Sequence, residues 1–106
     1  PTSWDATRVV QGQVGEYITV ARQKGNEWYV GSLTNWTSRK LHIPLNFLGT
    51  GKYIAEVYSD VAPVKDGSKS INRKRFNVNS KTVIVGVLNQ GGGHAMYIFP
   101  DSESTN

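Results

Sequence analysis

The sequence predicts an all-β fold, an antiparallel β-sandwich of about eight short strands. Eleven glycines divide the chain into short runs rich in Val, Ile, Tyr, Thr and Trp, the residue types that suit pleated sheets. Turn signals recur about every 8–12 residues, as in a sandwich or a barrel. No segment sustains the three-to-four-residue apolar spacing of a helix, so we expect almost no helix.

The first part of the chain is predicted to form a short strand followed by a hairpin. The first strand covers Thr7–Gly12 and the second covers Glu16–Gln23. Lys24-Gly25-Asn26 is a turn that leads into a third strand, Trp28–Leu33. A glycine-containing turn between two β-rich runs is typical of a hairpin.

The segment Arg39–Phe47 shows the clearest alternation in the chain, which is typical of a strand with one buried face. Because proline cannot donate a ladder hydrogen bond, Pro44 places this strand at an edge or ends it nearby. The predicted inward residues are Leu41, Ile43, Leu45 and Phe47, and the outward ones are Lys40, His42, Pro44 and Asn46.

Three further strands and one loop are predicted in the second half. After the turn Gly49-Thr50-Gly51, the strand Lys52–Asp60 places Tyr53, Ala55 and Val57 inward and Glu56 outward. The nearly all-apolar run Thr82–Leu88 predicts a strand covered on both faces. The remaining elements are a loop at Ala62–Lys69, an exposed strand at Ile71–Val78, a tight turn at Asn89–Gly93 and a last strand at Ala95–Phe99.

No catalytic or metal-binding constellation is recognisable. Glycoside hydrolysis requires two facing carboxylates, and none of the eight acidic residues forms a recognisable pair. His42 points outward and His94 follows a glycine turn, and with no cysteine neither fits a zinc or nucleophile–base motif. We therefore expect no catalytic residue, metal site or cofactor in this chain. The acidic residues are Asp5, Glu16, Glu27, Glu56, Asp60, Asp66, Asp101 and Glu103.

The charge pattern bears on nucleic acids and membranes. The net charge is +4, and the cluster Asn72-Arg73-Lys74-Arg75, with Lys69 upstream, is a candidate nucleic-acid surface. On a strand these charges alternate between faces, Arg73 and Arg75 on one and Lys74 on the other. Charged edge strands also prevent aggregation, so we predict no nucleic-acid partner. No apolar run approaches the roughly 20 residues of a membrane helix, and no membrane partner is predicted.

Five short motifs occur in order between residues 4 and 99. They are WDATRVV from Trp4, GEYITVAR from Gly15, WYVG from Trp28 with TNWT from Thr34, YIAEVYSD from Tyr53, and GGGHA from Gly91. In this order and spacing the chain resembles the C-terminal β-sandwich domain of glycoside hydrolase family 97. It departs from the family pattern at Ala6, where an acidic residue is usual, and in the more basic segment 71–78.

The resemblance implies a non-catalytic accessory domain of a bacterial enzyme that acts on α-glycosidic bonds, an α-glucosidase or α-galactosidase. It implies that the catalytic carboxylates and a calcium site belong to a separate (β/α)₈ barrel. The accessory domain is expected to pack against that barrel, to contribute to a homo-oligomer, or both. A periplasmic or cell-surface location follows from the same resemblance. Residues 1–106 then form one domain, with about residues 1–6 as a linker and about residues 100–106 as a disordered tail.

A domain that packs on a neighbour should expose an apolar patch when it is isolated. We predict that the patch contains Trp4, Val9, Val10, Trp36 and Ile54. The alternative hypothesis is a carbohydrate-binding module, because exposed aromatic rings can stack on sugars. Its candidate residues are Trp28, Tyr29 and Trp36.

Overall fold

The computed structural model describes residues 3–63 and 69–101, which form an antiparallel β-sandwich and confirm the predicted fold class. The described ranges contain no helix with the length and apolar character needed to cross a membrane. The eight strands are β1 (Ala6–Gln13), β2 (Tyr17–Lys24), β3 (Glu27–Thr34), β4 (Arg39–Pro44), β5 (Tyr53–Pro63), β6 (Lys69–Val78), β7 (Val83–Leu88) and β8 (Gly93–Pro100).

The strands form two layers of unequal width. The major sheet has the order β1-β2-β3-β8-β5-β6, and the minor sheet consists of β4 and β7. The β2–β3 hairpin turns at Gly25, whose φ of 61° is the left-handed conformation that glycine adopts without strain. The minor sheet packs on the inner face of the major sheet, and no described element covers the outer face of the major sheet.

The core lies between the two sheets. β4 alternates as predicted, with Leu41 and Ile43 buried and Lys40 and His42 exposed, and it ends at Pro44. The turn that follows adds further buried apolar side chains from residues 45–48. The buried apolar residues are Ala21, Trp28, Val30, Leu41, Ile43, Leu45, Phe47, Leu48, Ala55, Val57, Val78, Ile84, Leu88, Met96 and Ile98.

A row of polar side chains crosses the inner face of the major sheet. Gln11, Thr19, Ser32, His94 and Ser59 are cross-strand neighbours on β1, β2, β3, β8 and β5. The hydroxyls of Thr19 and Ser32 are buried and lie 2.9 Å apart, within hydrogen-bond distance. The Nδ1 atom of His94 is also buried and has no hydrogen-bond partner among the described residues.

Two predicted elements are wrong in detail. The strand at Thr82–Leu88 is not covered on both faces, because Val83, Val85 and Val87 are 51–57% exposed on the outer side of the minor sheet. Apolar β-branched residues on both faces made this strand resemble a fully buried one. In addition, β5 continues to Pro63, beyond the predicted start of the loop at Ala62.

The structure differs from the predicted linker and tail at both ends of the domain. Residues 4–6 are not a separate linker, because Ala6 begins β1 and the Asp5 carboxylate accepts a hydrogen bond of 2.6 Å from the Gly25 amide. At the other end, Pro100 still belongs to β8, and the Asp101 amide donates a hydrogen bond to the Lys52 carbonyl. The rest of the predicted tail, residues 102–106, lies outside the described residues.

Candidate interaction surface

A bare apolar area lies on the outer face of the major sheet, near the β1–β2 turn. Val9, Val14, Ile18 and Leu33 line one shallow depression there, and we call these four residues the aliphatic patch. Val9 and Leu33 are each more than 60% exposed. Alternation along β2 and β3 buries Thr19 and Ser32 and so turns their neighbours Ile18 and Leu33 outward.

Two small residues, Gly31 and Ala95, continue the apolar surface across the sheet, and we call them the floor of the outer face. Gly31 on β3 and Ala95 on β8 are cross-strand partners. Together with Ile18 and Leu33 they line a second depression of about 540 Å³. A Cβ atom added at Gly31 would meet no atom within 4 Å. The floor is therefore open to a side chain from another molecule.

A row of aromatic rings borders this floor on the same face. Trp4 contacts Tyr29, Tyr29 stacks on Tyr97, and Tyr97 contacts Phe99, with ring centroids 5.0–5.1 Å apart. We call these four residues the aromatic row. Because the rings cover one another, each is only partly exposed. The aromatic row is thus largely self-packed, whereas the aliphatic patch is bare.

The phenols of the aromatic row are held in their neutral form. Desolvation raises the pKa of Tyr97 to about 12, and the Glu27 carboxylate acts in the same direction. Desolvation and the nearby charge of Glu27 also raise the pKa of Tyr29, whose hydroxyl donates a hydrogen bond of 3.3 Å to that carboxylate. Two neutral hydroxyl groups therefore flank Glu27 on this face.

The basic side chains of β6 are engaged by neighbours on the same face. Arg73 forms an ion pair of 2.7 Å with Glu56 and lies over the ring of Tyr58. Arg75 lies over the ring of Phe99. Both arginines share one face, as predicted, and Lys74 pairs with inward-facing Val57 on the other side. The side chains of Lys69 and Asn72 lie outside the described residues.

The predicted patch residues do not all meet. Val9 belongs to the aliphatic patch, and Trp4 to the aromatic row. Ile54 is on the same outer face, but on β5, beside Phe99. Trp36 is 81% exposed on the loop after β3, where its ring faces Gly91. Val10 is half-buried, because the irregular pairing between Val9 and Gln11 turns it against the core.

Three members of the aliphatic patch were missed. Val14 lies in a turn, where an apolar residue gives no periodic signal. Ile18 and Leu33 lie in strands with apolar residues on both faces, so composition alone does not show which face is bare. Their alternation with Thr19 and Ser32 was a usable signal, but it requires knowing that these hydroxyls pair inside.

The residues proposed for sugar stacking do not form one platform. Trp28 is wrong as a sugar-stacking residue, because it is 6% exposed and packs on Phe47 in the core. Tyr29, the next residue, points to the outer face and lies between Trp4 and Tyr97. Trp36 is on a separate loop. No two of the three candidates present parallel, exposed rings.

The described residues contain no group of three or more His, Cys, Asp or Glu side chains placed to hold a metal ion. His94 follows the glycine turn as predicted and lies inside the sandwich, where desolvation lowers its pKa from 6.5. His42 is exposed on the minor sheet. On the outer face the described side chains offer apolar packing and charge pairing.

Comparison with known proteins gives a consistent result. The family of glycosyl-hydrolase 97 C-terminal domains, described as serving oligomerisation, matches residues 3–99. A retaining alpha-galactosidase of Bacteroides thetaiotaomicron is 35% identical over 98 residues, which cover 92% of this chain. A probable retaining alpha-galactosidase of Streptomyces bingchenggensis is 30% identical over 93 residues, or 87% of this chain.

The fold is similar to part of a solved enzyme. The glycoside hydrolase family 97 enzyme of Pseudoalteromonas sp. strain K8, solved in complex with acarbose, superposes on 93% of this chain with a TM-score of 0.83 and 29% identity. The match covers 16% of that enzyme. The chain likewise spans 15% and 14% of the two curated relatives.

Proposed function

Because the chain belongs to the family of C-terminal oligomerisation domains of family 97 glycoside hydrolases, we propose that it associates with its partners through the outer face of the major sheet. The chain is a non-catalytic accessory domain. Its role is to hold protein surfaces together.

The aliphatic patch is the observation that carries this proposal. Val9, Val14, Ile18 and Leu33 form one apolar area on a face that no described element covers. Contiguous apolar area of this kind mostly marks a protein contact, because leaving it in water is unfavourable. The three exposed valines of the minor sheet lie on the opposite side of the sandwich.

We propose that the parent enzyme acts on α-glycosidic bonds, and on α-galactosides in particular. The two curated relatives named as retaining alpha-galactosidases support this substrate class. The catalytic carboxylates and any calcium ion would then belong to the catalytic domain, which is also a partner for this domain. Release of sugar from a nitrophenyl α-galactoside by the parent enzyme, but not by this domain, would test the assignment.

Sedimentation velocity of the purified domain tests the proposed surface. We expect the sedimentation coefficient of the wild type to rise with concentration, because the aliphatic patch is the contact. Leu33→Asp, which places a charge at the centre of the patch, should leave a monomer. Val85→Asp is the matched control, since Val85 is similarly exposed on the opposite side of the sandwich. A strictly monomeric wild type, or an equal effect of the control, would contradict the proposal.

The carbohydrate-binding alternative is not favoured. It requires an exposed aromatic platform, whereas Trp28 is in the core and the aromatic row is self-packed.

A further inference from the structure

Two oppositely charged residues, Glu16 and Arg22, lie at the two ends of the aliphatic patch. Glu16 lines its depression beside Ile18, and Arg22 lines the neighbouring depression beside Ile18, Val20 and Leu33. Arg22 continues the outward series Ile18, Val20, Arg22 of β2. Glu16 is in the turn just before β2 and lines the depression on the same face. Six residues of extended chain separate them by about 20 Å.

These two charges differ from the others on the same face. Glu56 and Arg73 form an ion pair of 2.7 Å, and Glu27 accepts a hydrogen bond from Tyr29. The guanidinium of Arg75 lies over the ring of Phe99. Within residues 3–63 and 69–101, no ion pair involves Glu16 or Arg22. Burying an unpaired charge costs several kcal/mol, so whatever covers the patch must supply a base opposite Glu16 and an acid opposite Arg22.

We propose that the occupant of this face is a second copy of the chain, packed face to face with its β2 antiparallel to the first. In this two-fold arrangement Glu16 of each copy lies opposite Arg22 of the other, and the two aliphatic patches meet between the pairs. The inference rests on the proposed function, since it specifies the partner of the same surface. It assigns Glu16 and Arg22 as the residues that set the orientation of the dimer.

The charge order on β2 selects this geometry. An isologous contact buries the same patch on both subunits, so a charge pattern is self-complementary only if it reverses under the two-fold axis. The order acid, Ile18, Val20, base meets that condition. A parallel stacking would instead place Glu16 opposite Glu16 and Arg22 opposite Arg22, and like charges in contact disfavour a complex.

The available area indicates a modest affinity. Strands β1, β2, β3 and β8 span about 19 Å across the sheet, and the stretch from Glu16 to Arg22 spans about 20 Å along it. A face of this size is at the low end for a specific interface. We therefore expect association of the isolated domain at micromolar or higher concentrations, strengthened where a parent enzyme adds further contacts.

A charge swap tests the pairing. Glu16→Arg and Arg22→Glu, each made alone, place like charges opposite each other at both ends of the dimer. Each should raise the dimer dissociation constant, measured by sedimentation equilibrium at low salt, by about tenfold or more. The double variant restores two opposite-charge pairs, with their order reversed, and should return the constant close to that of the wild type.

Lys40→Glu is the matched control, because Lys40 is an exposed charge on the minor sheet. It should leave the constant close to that of the wild type. Thermal unfolding followed by circular dichroism should show that all four variants remain folded, since the substituted side chains are exposed. Failure of the double variant to recover would overturn this inference, while loss of association in Leu33→Asp would still support the outer face as the contact surface. If neither the single charge variants nor Leu33→Asp weakened association, both the charge pairing and the outer face as contact surface would be overturned.

Discussion

The imidazole of His94 on the major sheet lies against Gly86 on the minor sheet. A Cβ atom at residue 86 would lie 2.9 Å from Cδ2 and 3.1 Å from Nε2 of the ring. Both residues are buried, so the ring has little room to move away. Glycine at this position therefore sets how closely the two layers approach.

Gly86→Ala should destabilise the domain. Overpacking a buried site of this kind costs roughly 1–3 kcal/mol, which urea unfolding would show as a lower midpoint. Adding His94→Ala to Gly86→Ala should make the cost of the Gly86 substitution smaller, because the ring that the methyl group meets is gone. Equal effects of Gly86→Ala in the two backgrounds would contradict this contact.

Lowering the pH should destabilise the folded domain through His94. Desolvation lowers the pKa of His94 below its ordinary value of 6.5. Below pH 6.5 the unfolded chain therefore binds more protons than the folded one. The contribution is complete above that pH and is lost as the pH falls from there towards the lower folded pKa.

The free energy of unfolding, measured between pH 5 and 8 with urea, would show this loss. The range is about that in which histidine titrates. His94→Gln should flatten the pH dependence, and its remaining histidine, exposed His42, serves as the internal control. A variant with the same slope as the wild type would show that another group is responsible.

Thr19→Val should lower the free energy of unfolding by more than the replacement of one hydroxyl by a methyl group suggests. The change keeps the shape of the side chain but leaves the buried Ser32 hydroxyl without the partner that lies 2.9 Å away. An unsatisfied buried group costs about 1–3 kcal/mol. Thr19→Val with Ser32→Ala removes both hydroxyls, so the double variant should be less destabilised than the sum of the single variants. Strict additivity in thermal or urea unfolding would be evidence against the pair.

Alternation predicted the part of the fold that has one covered face. Leu41 and Ile43 are buried and Lys40 and His42 are exposed, because β4 carries unlike residues on its two sides. Burial alternates in β7 as well, with Val85 outward between buried Ile84 and Gly86, but its nearly all-apolar sequence does not show this. An apolar run without polar residues does not show whether one or both of its faces are covered. That depends on which other elements pack against the strand.

The interaction surface was predicted in part, for a related reason. Val9 was predicted as a member of an exposed apolar patch, and it belongs to the aliphatic patch. Ile18 and Leu33 were missed because their inward neighbours, Thr19 and Ser32, are polar, and local pattern alone would place polar residues outside. Only pairing between β2 and β3, which brings the two hydroxyls together, reverses that assignment.

Trp28 and Trp36 should respond in opposite ways to replacement by alanine. Trp28 is in the core against Phe47, and emptying such a site costs about 3–5 kcal/mol. Trp36 is 81% exposed, and its ring contacts the turn at Gly91. Its replacement should therefore change the free energy of unfolding by no more than about 0.5 kcal/mol.

Chemical denaturation of the two alanine variants, followed by tryptophan fluorescence, measures this contrast directly. Trp28→Phe is the matched control, because it keeps an aromatic ring in the core and should lose much less stability than Trp28→Ala. If Trp28→Ala were as stable as the wild type, Trp28 would be free to leave the core, and its assignment as a core residue rather than a sugar-stacking surface residue would be wrong.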